Sequence, residues 1–432
     1  MIQQVVLILS AFVSGLLGVY AIHLLMLVWF AIRRRPPPRV SSPSVWPSVS
    51  VHVPIYNEKS VVSRLLDSIL AFDYPQDKLE IIAIDDSNDG TTQVLQSYEQ
   101  MYPGLVKVIH REYREGFKAG ALQTALIRSN SEVLALFDAD HVPPRDFLRQ
   151  MVPYLCCDSR IAFAQGRPSY LCDGNSWVAR ALSLGMDSFA FVDQEARFSG
   201  NLLTHFSGGG SVFRRTAILS VGGWTSQTLA EDLDLSIRLR LNGWQYVYNE
   251  SVPCPGEAPI SFQILQRQQF RWASGFAGCL KKHLRSLLTT KEMSPIQKTE
   301  AVIYLTGYAA SPLIAIGVLL AVLYCLVFPL DFILNGFRYN VLAAFTVLMS
   351  ALIYTAPVAL FTLATVRSTN QWFERAKRFL DLIYLGVLSV GIFLTTARAV
   401  IDGLLDKATY FYRTPKRGGA VQPGTIASGG SD

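Results

Sequence analysis

Long apolar segments at both ends of the chain constrain its fold more than any other feature. The run Val5–Ile32 contains no lysine, arginine, aspartate or glutamate, and three arginines, Arg33–Arg35, follow it directly. A secretory signal would need basic residues before a shorter apolar core. The run is instead long enough to cross a bilayer, and basic residues favour the cytoplasmic side of a membrane helix. We therefore predict a transmembrane helix in residues 1–35, with the following residues in the cytoplasm.

The C-terminal part contains three further apolar segments. Ile303–Phe328 and Val341–Val366 are each long enough to span a membrane, and the short loop between them predicts a hairpin. Phe379–Leu405 is also apolar but contains two aspartates and an arginine. It either spans the membrane or lies in the interface as an amphipathic helix. Residues 299–410 are thus predicted to form a transmembrane hairpin plus an interfacial or third membrane helix.

Composition agrees with a soluble domain that is attached to membrane helices. Half of the 432 residues are hydrophobic and the mean hydropathy is +0.27, which is too apolar for an ordinary soluble protein. The net charge is +6, and basic residues cluster where apolar segments end, which indicates lipid head groups rather than nucleic acid as the partner. The six cysteines show no metal-ligand spacing, as expected of reduced cysteines on a cytosolic face. The Pro- and Ser-rich residues 36–48 predict a stiff linker.

Between the apolar segments, strand-like and helix-like patterns alternate. The strand-like runs are Val49–Pro54, Leu79–Ile84, Val106–His110 and Val133–Phe137, with helical periodicity between them. This order predicts an α/β domain in residues 49–254, with a doubly wound and mostly parallel sheet. No Gly-x-Gly-x-x-Gly or Walker-type loop follows any strand, which argues against a dinucleotide oxidoreductase or a nucleotide hydrolase.

Two pairs of carboxylates follow predicted strands. Asp138 and Asp140 are one residue apart after a buried run, so both side chains point to one side of an extended segment and can share a hard divalent cation. Asp85 and Asp86 end another strand, and a carboxylate there can accept a hydrogen bond from a nucleobase or a ribose hydroxyl. The carboxyl edge of an open α/β sheet is where such folds bind ligands. Solvated loop acids are the alternative for Asp138 and Asp140. Turn and helix-cap duty is the alternative for Asp85 and Asp86, although it suits Ser87, Asn88 and Asp89 better.

Basic and glycine-rich segments supply further candidates. Lys118 could provide a point charge for a diphosphate, although a solvated surface lysine is the alternative. The segment HFSGGGSVFRR contains Ser207, Gly208 and Gly209. Its glycines clear space for a ligand that lies against the backbone, or they form a plain flexible loop.

A third acidic pair begins a helical pattern. Glu231 and Asp232 fall in the first turn, where acids usually complement the helix dipole. A carboxylate held there at the same sheet edge also suits a general base. Asp234, further along, is interpreted as an ordinary surface acid.

Residues 255–298 are predicted to be amphipathic helices at the membrane interface. Within them Gln268, Arg271 and Trp272 would face the catalytic edge. Arg271 could stabilise a departing phosphate, and Trp272 offers a flat apolar face for a sugar ring. Anchoring at the membrane surface is the alternative for the tryptophan.

Together these motifs resemble those of the membrane-integrated family 2 glycosyltransferases, which include cellulose, mannan and hyaluronan synthases. The elements are PIYNE at Pro54–Glu58, Asp85-Asp86, FKAGAL at Phe117–Leu122, Asp138-Ala139-Asp140, the glycine-rich Ser207–Arg215, AED at Ala230–Asp232 and Gln268-x-x-Arg271-Trp272. Residues 411–417 contain FYRTPK, which is similar to the gating loop that covers the nucleotide sugar in this family. Ala230 stands where threonine is usual, and Arg413 replaces the gating valine.

The resemblance implies a GT-A-type fold and inverting transfer of a hexose from a UDP-glucose-like or GDP-mannose-like donor. Asp138 and Asp140 would hold Mg²⁺ or Mn²⁺, and Asp232 would take the proton from the acceptor hydroxyl. The implied substrate-binding residues are Glu58, Asp85 or Asp86, Lys118, Ser207, Gly208, Gly209, Glu231, Gln268, Arg271, Trp272, Phe411, Thr414 and Lys416.

Two acceptors stay open: a growing β-linked polysaccharide or glycan, and a lipid such as ceramide, diacylglycerol or polyprenyl phosphate. The Gln-x-x-Arg-Trp and gating elements favour the first, and the small membrane portion favours the second. A non-catalytic membrane protein that keeps the fold is a third hypothesis. The resemblance further predicts an integral protein of the plasma membrane with a cytoplasmic catalytic domain and an interfacial Phe379–Leu405. The Gly- and Ser-rich composition of residues 418–432 predicts a disordered tail.

Overall fold

The computed structural model describes residues 1–171, 176–259, 261–338, 340–407 and 416, and a seven-stranded sheet lies at its centre. The strands are β1 (Val49–Ile55), β2 (Leu79–Asp85), β3 (Val106–His110), β4 (Val133–Leu136), β5 (Ile161–Tyr170), β6 (Ser211–Arg214) and β7 (Gln245–Gly256). Their order across the sheet is β3-β2-β1-β4-β6-β5-β7. In this sheet β6 alone runs antiparallel to its neighbours, so the predicted mostly parallel α/β fold is confirmed.

Helices on both faces bury the first half of the sheet. These helices are α2 (Val62–Leu70), α3 (Thr91–Met101), α4 (Phe117–Arg128) and α5 (Phe147–Cys157). In α2 the apolar residues Val62, Leu65, Leu66 and Ile69 recur at helical spacing and are fully buried against β1 and its neighbours. Because each right-handed crossover returns the chain to a parallel strand, β1, β2 and β4 all end at the same edge of the sheet. The candidate side chains follow these strand ends.

The second half of the domain adds a long interrupted helix and a short one that carries the third acidic pair. The elements are α6 (Trp177–Ser188), a π-helical segment (Phe189–Gln194), α7 (Glu195–Ser199), α8 (Arg215–Ser220) and α9 (Glu231–Leu241). Single 3₁₀ turns occur at Gln76–Lys78, Gly307–Ala309 and Gly336–Arg338.

Asp234 in α9 corrects one interpretation from the sequence. Its side chain is fully buried, and it accepts hydrogen bonds from Lys282 (2.6 Å), His283 (2.8 Å) and Arg238 (2.8 Å). Burial alone would raise the pKa of this carboxyl group, but these donors hold it well below its usual value. Asp234 is therefore an internal link between α9 and the following long helix, not a surface acid.

The remaining helices comprise the candidate membrane segments and the helices next to them. They are α1 (Ile2–Ile32), α10 (Phe262–Thr289), α11 (Pro295–Leu305), α12 (Ala310–Val327), α13 (Leu330–Asn335), α14 (Val341–Ser368) and α15 (Trp372–Leu404). Among the described residues, four segments are long and apolar enough to cross a membrane: Ile2–Ile32, Gly307–Val327, Val341–Ser368 and Trp372–Leu404. Gly18 of α1 lies directly against the Met349 side chain of α14, so these two helices pack closely. The predicted N-terminal helix and C-terminal hairpin both form helices of spanning length.

The helix α15 meets the length and composition of a span, yet it lies along the α/β domain. Near its start Asp381 accepts a hydrogen bond from Arg180 of α6 at 3.0 Å. Near its end the carbonyl of Ala399 accepts one from Ser274 of α10, also at 3.0 Å. Both halves of α15 therefore contact helices of the α/β domain and its extension. These are α6, which follows β5, and α10, which follows β7. These contacts support the interfacial placement, which stays a prediction.

Candidate active site

One cavity of about 820 Å³ opens at the carboxyl edge of the sheet. It extends from the ends of β1 and β4, past the loop before β6 and the first turn of α9, to the helices α1, α6, α10 and α15. Its lining brings together most of the residues that the sequence singled out. These are Glu58, Asp86, Lys118, Asp138, Asp140, Ser207, Gly208, Gly209, Glu231, Asp232, Gln268, Arg271, Trp272 and Lys416. Phe411 and Thr414 lie outside the described residues.

Asp85 is the one described candidate that the structure does not bring to this cavity. It is fully buried at the end of β2, where it accepts hydrogen bonds from Thr92 (2.6 Å) and contacts His110 (2.9 Å). Its neighbour Asp86 lines the cavity instead and receives two bonds from Arg111 at 2.6 and 2.5 Å. Side chains alternate along a strand, so only one of two adjacent acids can face the ligand. The structure therefore places Asp86, and not Asp85, at the cavity, and a substrate-binding role for Asp85 stays a prediction.

Asp138 and Asp232 face the same space above a glycine. Gly208 has φ +77°, and a Cβ built there would lie 3.5 Å from Asp138 Oδ2 and 3.9 Å from Asp232 Oδ2. Lys118, in the first turn of α4, contacts Asp138 Oδ1 at 2.7 Å and donates to the Gly208 carbonyl at 2.8 Å. Burial would lower the pKa of Lys118, but Asp138 and Glu231 raise it above its usual value, so the ammonium stays charged. Gly208, which has no side chain, thus lies between two carboxylates: that of Asp138, which is paired with the Lys118 ammonium, and that of Asp232.

Asp140 is held by groups from two distant parts of the chain. Its Oδ2 accepts from the Glu257 backbone N–H at 2.7 Å and from the Lys416 ammonium at 2.7 Å. Burial would raise the pKa of Asp140, yet Lys416 and His141 lower it to about 2, so the side chain is ionised at neutral pH. His141 accepts a hydrogen bond from the Asp138 backbone N–H through Nδ1 at 3.1 Å, which requires an unprotonated Nδ1. Burial correspondingly lowers the pKa of His141.

The residues present at this edge fit a divalent cation that takes only some of its ligands from the protein. Within the described ranges, no three His, Cys, Asp or Glu side chains are arranged to hold a metal ion. Asp138 and Asp140 nevertheless offer carboxylate oxygens to one cavity, and each has a lysine ammonium at 2.7 Å. Hard cations such as Mg²⁺ usually take one or two carboxylates and complete their coordination with phosphate oxygens and water. The two aspartates suit a cation that enters together with a diphosphate.

Glu231 and Asp232 form a buried acidic pair at the start of α9. Asp232 Oδ1 accepts from the Leu233 backbone N–H at 2.7 Å. Burial raises the pKa of both carboxyl groups, while Lys118 opposes that rise. A carboxylate whose pKa is raised accepts a proton more readily than a solvated one, which suits Asp232 to general base catalysis.

A close contact between two small residues fixes α10 against this acidic pair. A Cβ built on Gly275 would lie 2.7 Å from Ala230 Cβ and 3.1 Å from the Ala230 backbone nitrogen. Ala230 immediately precedes Glu231, and Gly275 is less than one turn after Trp272 on the same helix. The alanine that departs from the usual threonine is therefore part of the packing that places Arg271 and Trp272 over the acids.

We expect Gly275→Ala to displace α10 and lower kcat by about 10- to 100-fold, because small misplacements of catalytic groups cost rate. Gly278→Ala, on the same helix, is the matched control, since a Cβ built at Gly278 would meet no neighbouring atom within 4 Å. That variant is expected to keep kcat and to gain up to about 1 kcal/mol of stability from the better helix propensity of alanine. Steady-state kinetics and thermal unfolding of both variants measure this, and equal kcat values would contradict the packing argument.

Several lining residues were not assigned a role from the sequence. The Arg114 guanidinium lies 3.6 Å above the Tyr56 ring at the end of β1, beside Asp86. An aromatic residue directly after a strand is the signal that could have pointed to Tyr56. Asp193 and Arg197 also line the cavity, on the π-helical segment and α7. The apolar periodicity of residues 177–199 does not predict the π-helical segment Phe189–Gln194.

This arrangement agrees with the chain's similarity to known sequences. A model of the family described as "Glycosyltransferase like family 2" matches residues 47–275. The chain belongs to glycosyltransferase family 2. The matched range contains the sheet, the acids at its edge and Arg271 and Trp272, so the resemblance inferred from the motifs is confirmed at the level of the family.

Relatives of this family 2 chain include plant enzymes. It is 33% identical over 295 residues to "Probable glucomannan 4-beta-mannosyltransferase 7" of Oryza sativa subsp. japonica, covering 66% of this chain and 50% of the relative. It is 30% identical over 293 residues to "Glucomannan 4-beta-mannosyltransferase 9" of Arabidopsis thaliana, covering 66% of this chain and 54% of the relative. The chain thus spans about half the length of these relatives.

A solved structure shares the fold. The mannosyltransferase PcManGT from Pyrobaculum calidifontis, in complex with GDP-Man and Mn²⁺, superimposes with a TM-score of 0.58 at 22% sequence identity. The match covers 83% of this chain and 98% of that one. At this identity the likeness establishes the fold, and the predicted GT-A-type architecture is confirmed.

Proposed function

We propose that the chain is a membrane-bound, inverting glycosyltransferase that transfers a hexose from a nucleotide diphosphate sugar to a growing β-linked polysaccharide or glycan. The observation that carries this proposal is the convergence of Asp138 and Asp232 on the space above Gly208. Asp140 lines the same cavity. A site for a diphosphate and a site for a base must lie on either side of a transferred sugar, and the placement of these acids supports both roles.

The donor would lie along the edge formed by β1, β2 and β4. Tyr56, Asp86 and Arg114 form an aromatic and charged pocket that suits a nucleoside. Lys118 would contact the diphosphate as a fixed point charge. The relatives named as mannosyltransferases and the complex of the structural neighbour with GDP-Man support GDP-mannose ahead of UDP-glucose as the donor.

In the reaction, Asp232 accepts the proton of the acceptor hydroxyl as that oxygen forms a bond to the anomeric carbon of the donor sugar. The bond from this carbon to the diphosphate breaks on the opposite face, which inverts the configuration. Asp138 and Asp140 would hold Mg²⁺ or Mn²⁺, which supplies neutralisation of the diphosphate as it departs. Arg271 adds a guanidinium to the same cavity, and Trp272 provides a face for the acceptor sugar.

The chain would act as an integral protein of the plasma membrane with its catalytic domain in the cytoplasm. The three arginines at the end of α1 support this orientation. The contact of Lys416 with Asp140 supports a role for Lys416 at the donor site.

A donor screen tests the proposal. The purified protein, in lipid nanodiscs with Mn²⁺ or Mg²⁺, is incubated with GDP-mannose, GDP-glucose and UDP-glucose together with β-1,4-linked oligosaccharides. We expect release of nucleoside diphosphate and extension of the oligosaccharide with at least one donor, GDP-mannose being the first choice. Absence of release from every donor under conditions that keep the protein folded would refute the function.

A lipid acceptor is the second candidate, and one feature of the cavity favours it. Toward α6 and α15 the lining becomes aliphatic, with Leu182, Met186, Leu385, Leu388 and Ile392. Such a surface accepts a hydrocarbon chain more readily than a polysaccharide. Extraction of the radiolabelled product separates the two candidates, because a lipid-linked single sugar partitions into organic solvent and a polymer appears as a ladder of oligomers.

A further inference from the structure

Arg111 lies behind Asp86 and is not among the residues that line the cavity. It follows β3 as Asp86 follows β2, and the parallel pairing of these strands matches their last residues, Asp85 and His110. Arg111 and Asp86 are therefore neighbours across the edge of the sheet. The guanidinium donates to both carboxylate oxygens, from Nε at 2.6 Å and from Nη2 at 2.5 Å. A paired contact of this kind fixes the direction of the carboxylate as well as its distance.

The same guanidinium also holds the turn that precedes Lys118. Its Nη1 donates to the Glu115 carbonyl and its Nη2 to the Phe117 carbonyl, each at 3.0 Å. Phe117 begins α4, and Lys118 is the next residue. One side chain thus connects Asp86, on the nucleoside side of the proposed donor site, with the turn that carries the lysine for the diphosphate.

This turn has a backbone conformation that needs support. Gly116 has φ +68° and Phe117 has φ +51°. The left-handed region is unfavourable for a bulky residue such as phenylalanine and persists where surrounding contacts hold it. Gly120 leaves room for those contacts, since a Cβ built there would lie 2.0 Å from the Glu115 carbonyl oxygen and 2.9 Å from Arg111 Nη1. The two bonds from Arg111 therefore stabilise the turn in this form.

An arginine suits this position for two reasons. Its planar fork offers several N–H donors in a fixed arrangement, whereas a lysine ammonium is a single point charge that cannot reach Asp86 and both carbonyls together. Its charge also offsets that of Asp86, so the pair adds little repulsion to an incoming diphosphate. The side chain of Arg111 is 12% exposed and that of Asp86 is 4% exposed, so salt in the solvent screens this pair only weakly.

We propose that Arg111 is a positioning residue that couples the two halves of the donor site, by orienting Asp86 for the nucleoside and the turn before Lys118 for the diphosphate. This inference rests on the proposed function, because it takes the nucleotide sugar to bind along the edge formed by β1, β2 and β4. Both parts of the donor then depend on one residue outside the cavity.

Nucleotide binding without turnover tests this coupling. The purified protein, in lipid nanodiscs with Mn²⁺, is titrated with GDP, and separately with pyrophosphate in competition with a fluorescent GDP analogue. We expect Arg111→Lys to raise the Kd of GDP by about tenfold and that of pyrophosphate by about fivefold, because bonds on both sides of the guanidinium are lost. Arg128→Lys, at the exposed end of α4, is the matched control and should change neither Kd.

Two further variants separate the halves of the site. Asp86→Asn should raise the Kd of GDP by about tenfold and leave that of pyrophosphate nearly unchanged, since Arg111 keeps its bonds to the turn. Gly120→Ala keeps Arg111 but displaces the turn, and it should raise the Kd of pyrophosphate by about fivefold. In turnover, Arg111→Lys should raise the donor KM by about tenfold and keep kcat and the acceptor KM within about threefold, a split that a general loss of stability would not produce.

The outcomes distinguish this inference from the proposed function. Unchanged Kd values in folded Arg111→Lys, or a rise for only one of the two ligands, would overturn the coupling and leave the proposed function intact. If thermal unfolding shows that Arg111→Lys does not fold, Gly120→Ala decides, and unchanged pyrophosphate binding in that variant overturns the coupling. If the unmodified chain binds neither GDP nor UDP, the proposed function fails and the coupling fails with it.

Discussion

Asp232→Asn is expected to lower kcat by roughly 10³-fold, since a positioned general base commonly contributes 10²- to 10⁴-fold to a reaction rate. Asparagine has nearly the same size, so the Leu233 N–H keeps an oxygen acceptor and α9 should keep its first turn. The KM for the nucleotide sugar should change little, because the proton transfer takes place on the acceptor. Steady-state kinetics with donor and acceptor varied separately measure this split.

The pH dependence gives an independent check on the same residue. Because burial raises the pKa of Asp232, the base becomes protonated at a higher pH than a solvated aspartate would. Activity of the unmodified chain should therefore fall as the pH decreases through this raised pKa, and the acid limb of kcat/KM should disappear in Asp232→Asn. A variant that retains both its rate and its acid limb would mean that another group is the base.

Removal of divalent cations is expected to raise the activation free energy by several kcal/mol and so to lower kcat on the order of 10³-fold. Without a cation, the departing diphosphate would face Asp138, Asp140, Glu231 and Asp232 with only the basic side chains of the cavity to offset their charge. Excess EDTA should stop product release, and Mn²⁺ or Mg²⁺ added beyond the chelator should restore it.

The variant Asp140→Asn serves as the internal comparison for this experiment. It should resemble the chelated enzyme at low metal concentration and should recover partly as Mn²⁺ is raised. Full turnover in EDTA, with the protein shown to be free of metal, would remove Asp138 and Asp140 from the role of metal ligands.

The acids at the sheet edge could be predicted because strand ends are visible in the sequence. A buried apolar run that stops at Asp138 and Asp140 indicates both the strand and the direction in which its last side chains point. The choice between Asp85 and Asp86 was not accessible in this way. It depends on where β2 ends and on the partners Thr92 and His110, which a tertiary structure alone provides.

The burial of Asp234 and the contribution of Asp193 and Arg197 to the cavity lining could not be predicted, for a different reason. Asp234 falls on a helical pattern next to other charged residues, and only the packing of α10 reveals that Lys282 and His283 surround it. Asp193 and Arg197 lie on a segment whose composition is ordinary for an α-helix. The apolar periodicity of the sequence does not mark the π-helical segment on which Asp193 lies.

The lysine at Asp140 has a consequence for how this protein should be handled. Lys416 follows α15 closely in the chain, and its ammonium lies 2.7 Å from a carboxylate that would bind a cation. A cation must therefore compete with a positive charge that the polypeptide itself supplies. Shortening the chain after Leu404 to aid purification would remove that competitor, and metal titrations on the shortened protein would overstate the affinity of the unshortened chain.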